Sequence, residues 1–155
     1  MYFMQLAGEP LHLEYSLGPN GPCAENLRSV LLSAANLISG CGDSDDTADE
    51  PLSLVSGALE DANAFLLANP DTRTRIERVG ALVDGFETPF GLELLATVHW
   101  ITKHSQDSDT HVDVIANTCT GNDRKRPFSP RQIDIALTTL SDKGWIRQLS
   151  MAQFR

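Results

Sequence analysis

The groups best able to do chemistry in this 155-residue sequence are its carboxylates, four histidines and three cysteines, and their spacing decides which chemistry is open to them. Asp43, Asp45, Asp46, Asp49 and Glu50 place five carboxylates within eight residues, the ligand type a calcium ion takes. An EF-hand loop starting at Asp43 needs glycine at its sixth place and glutamate at its twelfth, where Ala48 and Leu54 stand. His99 and His104 lie five apart, off a common helix face, with no HExxH or CxxC pattern beside them. His99 reads as a helix histidine satisfied by local hydrogen bonds. Cys23, Cys41 and Cys119 are odd in number and form no CxxC pair, which suits a reduced, cytoplasmic compartment without disulfides. No GxSxG, dinucleotide fingerprint or phosphate loop occurs. No catalytic residue, metal or cofactor is therefore expected, and the chain reads as a binding module, not an enzyme.

The distribution of charge points the same way. The net charge is −9, and residues 1–70 hold ten carboxylates against one base, Arg28, while residues 71–155 hold eleven of each sign. The excess sits entirely in the first half. A surface of that sign repels nucleic acid and favours a basic partner. Candidate contact residues are Glu9, Glu14, Glu25, Asp43, Asp45, Asp46, Asp49 and Glu50. The plainer alternative is a solvated face that keeps the protein soluble.

These residues must be held by elements that the pattern predicts to be mainly helical, with a few short strands, in a single compact domain over 1–155. Tyr2, Phe3, Met4 and Leu6 read as the tail of a helix that begins upstream, in a longer chain. Leu11, Leu13 and Tyr15 alternate like a half-buried strand, and Gly18-Pro19-Asn20-Gly21-Pro22 is a rigid turn. Leu27, Val30, Leu31 and Ala34 form a helical stripe. Ser56 caps a helix whose Leu59, Ala62 and Leu66 face inward. Asn69-Pro70 starts a helix striped by Ile76, Val79, Val83 and Phe86, and Thr88-Pro89 starts one apolar on more than one side. Val112, Ile115 and Ala116 suggest a short helix. Ser129-Pro130-Arg131-Gln132 is a capping box before Ile133, Ala136, Leu137 and Leu140, and Gly144 stops that helix. Residues 145–149 read as a closing strand, so the end has the form of a winged-helix unit. No run approaches the ~20 apolar residues of a membrane span, and the start has no basic n-region of a signal peptide.

Two blocks carry a resemblance. Met1-Tyr2-Phe3-Met4-Gln5, Gly8-Glu9-Pro10-Leu11 and Gly18-Pro19-Asn20-Gly21-Pro22 with Ala24-Glu25-Asn26-Leu27-Arg28 resemble the C-terminal region of DarG-type antitoxins. The stretch from Gly85 to Trp100, GFETPFGLELLATVHW, is similar to the same family and is the more specific match. The first block is more loosely similar to SocA/Panacea-type antitoxin domains. The resemblance spans nearly the whole chain. It implies a toxin-binding domain, separated from an N-terminal macrodomain that removes ADP-ribose from DNA. The implied partner is a DarT-type toxin, an ADP-ribosyltransferase acting on thymidine in single-stranded DNA. The glycine-rich ADP-ribose loops of a macrodomain are missing from this sequence, so the hydrolase activity does not carry over. Where the family more often has aromatic residues this chain has Asn20 and Cys23, and it lacks a tryptophan ahead of Arg124 to Arg126.

The other class left open is a winged-helix DNA-binding transcriptional regulator. Arg124, Lys125, Arg126 and Arg131 cluster beside the last helix. Residues 130–143, however, balance Arg131 and Lys143 against Asp134 and Asp142, and a phosphate-reading helix is expected to be basic.

Overall fold

The computed structural model describes residues 1–34, 36–40, 52–104 and 128–147. Helices dominate them, with two two-stranded sheets, so the mainly helical class expected from the pattern is the one observed. The expected helix at Val112–Ala116, the acidic run 43–50 and the basic cluster 124–126 lie outside the described residues. Contacts group the chain into two units. One comprises Met1, Phe3–Glu14 and Ala24–Glu77; the other comprises Tyr2, Tyr15–Cys23 and Arg78–Arg155.

In the first unit, α1 (Tyr2–Leu6) buries Phe3, and Leu13 is buried further along. The Gln5 side chain grips Leu13 like a strand partner: its Nδ-equivalent amide, Nε2, donates to the Leu13 carbonyl at 2.8 Å, and its Oε1 accepts from the Leu13 N–H at 2.7 Å. The Glu14 N–H donates to Asn26 Oδ1 at 3.1 Å. With these backbone groups taken by side chains, residues 11–14 form no strand, and pairing starts only at Tyr15, later than the alternation of Leu11, Leu13 and Tyr15 predicts. The stripe of α2 (Leu27–Ser33) lies on one face as expected, but Leu27, Val30, Leu31 and Ala34 are only half-buried. β3 (Ile38–Ser39) pairs antiparallel with β4 (Ser53–Leu54), Ile38 opposite Leu54.

α3 (Ala58–Ala68) departs from expectation. Gly57, at φ 85°, stands at its N-cap in place of Ser56, and only Ala58 is buried. Leu59 and Ala62 face solvent and Leu66 is half-buried. α4 (Pro70–Val83) begins with proline at its first position, as predicted. The Asn69 side chain, however, donates to the Phe65 carbonyl at 2.8 Å and so satisfies the end of α3. The inward face of α4 is also rotated from the expected stripe. Thr72, Arg75, Val79 and Leu82 are its covered positions, Leu82 completely, while Ile76 is exposed. From Arg78 onward α4 belongs to the second unit.

The second unit holds a hairpin and two packed helices. β1 (Tyr15–Gly18) pairs with β2 (Gly21–Ala24) across Pro19-Asn20. Gly21, at φ 97°, closes the turn, and a Cβ there would stand 2.6 Å from Thr97 Oγ1. Only glycine meets both conditions. α5 (Pro89–His104) is capped by Thr88, whose hydroxyl accepts from the Gly91 N–H at 3.0 Å. It buries Leu94, Leu95, Thr97, Val98, His99 and Ile101, so it is covered on more than one side, as its composition predicts. α6 (Pro130–Asp142) packs on α5 through Ile133, Ala136, Leu137 and Leu140, all fully buried. Its capping box is complete: Ser129 Oγ accepts from the Gln132 N–H, and Gln132 Oε1 accepts from the Ser129 N–H at 2.9 Å. At the other end the Gly144 N–H bonds the Ser141 carbonyl at 3.0 Å and the Trp145 N–H bonds the Leu140 carbonyl at 2.8 Å, with Gly144 at φ 70°. This is a Schellman cap. It uses the Trp145 amide to close the helix, and residues 145–147 are accordingly not a strand, contrary to the expected closing strand. Trp145 is buried beneath the Arg78 guanidinium, 4.5 Å from its ring centroid.

Candidate partner-binding surface

The three acidic candidates within the described residues have different surroundings. Glu9 follows Gly8, whose φ of 104° turns the chain out of α1 toward Arg75. Glu9 Oε2 accepts from Arg75 Nη1 at 2.9 Å and Oε1 from the Thr72 hydroxyl at 3.2 Å, both on α4. Its side chain is 18% exposed, so this carboxylate is committed to holding the first unit together. Glu14 and Glu25 are exposed. Asn26 draws their segments together, accepting from the Glu14 N–H and donating to the His12 carbonyl at 2.8 Å. His12, at φ 52°, is the one non-glycine residue among those described with a left-handed backbone. Neither carboxylate has a cation beside it among the described residues. The candidates Asp43, Asp45, Asp46, Asp49 and Glu50 lie outside the described residues.

Next to these charges the first unit presents an apolar surface that the periodicity did not disclose. Eight of the eleven residues of α3 are apolar, yet Leu59, Phe65 and Leu67 are 59%, 55% and 76% exposed. A helix so apolar is normally buried, and contiguous exposed apolar area on a protein surface marks a contact site. Leu52 and Leu54, before it, are exposed as well. Between α3 and α4 runs an open groove of about 390 Å³ lined by Asn63, Leu66, Leu67, Arg73, Ile76 and Glu77. The available signal was composition: α3 is too rich in Leu, Phe and Ala for a single stripe to account for.

The histidines of the second unit serve packing. His99 Nδ1 lies 2.8 Å from the Tyr2 hydroxyl, and the same ring hydrogen-bonds the Trp145 backbone. The His99 ring meets Tyr2 edge-on at 5.6 Å between centroids, and Tyr2 meets Tyr15 edge-on at 5.0 Å. Burial, with Lys103 nearby and despite the Trp145 backbone bond, lowers the His99 pKa to about 4, so the ring is neutral at pH 7. Burial pushes the Tyr2 hydroxyl pKa upward, with Tyr15 adding to it. His104 stacks on Trp100 at 3.9 Å. Among the described residues no three His, Cys, Asp or Glu side chains gather where a metal could sit, and no helix is long and apolar enough to cross a membrane. Cys23 is a free, exposed thiol.

No family model matches the sequence. The chain is 37% identical over 147 residues to a DNA ADP-ribosyl glycohydrolase of Thermus aquaticus, covering 94% of this chain and 40% of that protein. It is 28% identical over 143 residues to proteins of the same name from Mycobacterium tuberculosis and Mycobacterium bovis, covering 88% of this chain and 41% of each. The chain therefore spans about 40% of the length of the relatives it matches.

Proposed function

We propose that this chain is an antitoxin domain of the DarG type, which binds a DarT-type DNA ADP-ribosyltransferase and neutralises it by filling its DNA-holding groove with an acidic surface. The observation that carries this reading is the likeness of almost the whole chain to part of proteins named for removing ADP-ribose from DNA. The glycine-rich loops that would cradle ADP-ribose are not in this sequence, so the shared part is taken to be the toxin-binding part. The charge supports it on independent grounds. A groove that holds DNA is basic, and a surface whose first 70 residues carry ten carboxylates and one base can take the place of phosphates there. Docking of that kind needs no reaction on the antitoxin: it excludes the substrate strand.

The test is titration of purified toxin, the protein encoded beside this one, with the full chain. Thymidine modification of a single-stranded DNA oligonucleotide is the readout. Activity should fall to zero near one equivalent, and excess oligonucleotide should restore it in part. Undiminished modification at tenfold excess would reject the reading. On the same proposal the chain releases no ADP-ribose from modified DNA, and recovery of free ADP-ribose would place catalysis in this domain after all.

A further inference from the structure

The groove between α3 and the first half of α4 points to a specific occupant, and we propose that it seats a basic amphipathic helix of the toxin, an inference that rests on the antitoxin role proposed above. Each wall of the groove is one helix face. Asn63, Leu66 and Leu67 stand at i, i+3, i+4 on α3, and Arg73, Ile76 and Glu77 repeat that spacing on α4. Two helices joined by the short Asn69-Pro70 turn thus offer a trough whose floor is Leu66, Leu67 and Ile76. Such a trough accepts a third helix through its apolar i, i+3, i+4 side chains. Leu67 is 76% and Ile76 41% exposed, so the contact surface is formed but uncovered in the chain alone.

The charge around the trough selects the sign of the occupant. Arg73 is paired with Glu77 at 2.9 Å, and Arg75 with Glu9 at 2.9 Å, which consumes both cations of this face. Glu60, Asp61 and Asp71, in the first turns of α3 and α4, are exposed and have no cation beside them among the described residues. An apolar trough with an uncompensated acidic rim favours an apolar helix edged with Lys or Arg. A second copy of this chain would bring the same carboxylates face to face, a like-charge arrangement that disfavours self-association. The acidic segments and the groove would then act in sequence: charge accelerates the encounter, and apolar burial slows release.

The experiment measures binding of the full chain to purified toxin, with sedimentation of the chain alone alongside. Leu67→Ser with Ile76→Ser should weaken affinity at least tenfold through a faster off-rate, with the melting temperature unchanged because both side chains are exposed. Asn63→Lys, which sets a cation in the trough and removes no apolar contact, should weaken it several-fold as a second, independent variant. Glu60→Gln with Asp61→Asn should lower the on-rate at low salt and not at high salt. Ile135→Ser, on exposed α6 surface, should leave affinity as it was. If the parent inhibits the toxin and the groove variants bind equally well, the groove inference is overturned while the antitoxin reading stands. If the parent binds no toxin, both fall. If the chain sediments as a dimer and Leu67→Ser with Ile76→Ser dissociates it, the occupant is a second copy and the inference is overturned.

Discussion

Arg75 Nη1 donates to Glu9 Oε2 at 2.9 Å, joining residues 66 positions apart in sequence, and Thr72 supports the other carboxylate oxygen. The side chains are 30% and 18% exposed, so water screens the pair incompletely. Glu9 thereby differs from the other acidic candidates: its charge is already answered inside the chain. Glu9→Gln keeps the shape and removes the charge, and should destabilise the protein by about 1–2 kcal/mol, the range for a charge-assisted hydrogen bond. Its on-rate for a basic partner should hardly change. Denaturant titration together with association kinetics checks both halves, and a large loss of on-rate with intact stability would return Glu9 to the contact surface.

His99 is 3% exposed and neutral, bound between Tyr2 and the Trp145 backbone. Its pKa falls from 6.5 in the unfolded chain to about 4 in the folded one. The unfolded state therefore takes up the proton first as pH drops. The stabilising contribution is complete above about pH 6.5 and is lost progressively as pH falls toward 4. At full effect the shift is worth about 3 kcal/mol. The carboxylates titrate in the same range, so the quantity to measure is the difference in melting temperature between parent and His99→Gln at pH 7.5 and at pH 5. The parent should lose more stability than the variant over that interval. Parallel losses would mean that His99 is open to protonation in the folded state.

Leu95 lies in the middle of α5 and is completely buried. Leu95→Ala should cost about 2–5 kcal/mol, the range for a buried leucine that leaves a cavity. Leu92→Ala, at a 40% exposed position on the same helix, should stay within about 0.5 kcal/mol. Equal midpoints for the two variants would show that α5 is not the centre of its unit.

How far the sequence could be read followed from where each element finds its partner. α5 and α6 were legible because their signals are local. Thr88-Pro89 and Ser129-Pro130 start them, Gly144 stops the second, and the stripes of the two helices bury against each other within the chain. α4 was found, but its inward face was misjudged. Ile76 and Leu82 are both apolar, and only tertiary contact decides that Leu82 is covered while Ile76 is not. α3 was misread for a deeper reason. Periodicity reports that a face is apolar, not whether its cover lies inside the chain, and Leu59 was taken for core although it is exposed. The Tyr2–His99 contact links residues 97 apart, and no local pattern encodes it. Of the acidic candidates, counting charges ranked Glu9 with Glu14 and Glu25, because the count is blind to Arg75.

Glu14 and Glu25 now stand as the described carboxylates most available to a basic partner. They are exposed, they have no cation beside them among the described residues, and Asn26 holds their segments together by bonds to the Glu14 N–H and the His12 carbonyl. The run of Asp43, Asp45, Asp46, Asp49 and Glu50 adds five more negative charges nearby in sequence. At physiological salt the field of each group reaches only about 8 Å, so their influence on binding is felt mainly in the encounter and weakens as salt rises. Replacing Glu14 and Glu25 with Gln should lower the on-rate several-fold at low ionic strength, with no change in melting temperature. Replacing the five carboxylates of the 43–50 run with Asn and Gln should lower it further and flatten the dependence of the on-rate on salt. Measured against purified toxin over a salt series, the two sets should act almost additively, because charges that steer an encounter sum their fields. If the Gln variants of Glu14 and Glu25 match the parent in both on-rate and salt slope while the 43–50 set alone removes the dependence, the steering surface is the run and not the Asn26-linked pair. If neither set moves either quantity, the acidic half of the chain is a solvated face, and recognition of the toxin rests on apolar contact alone.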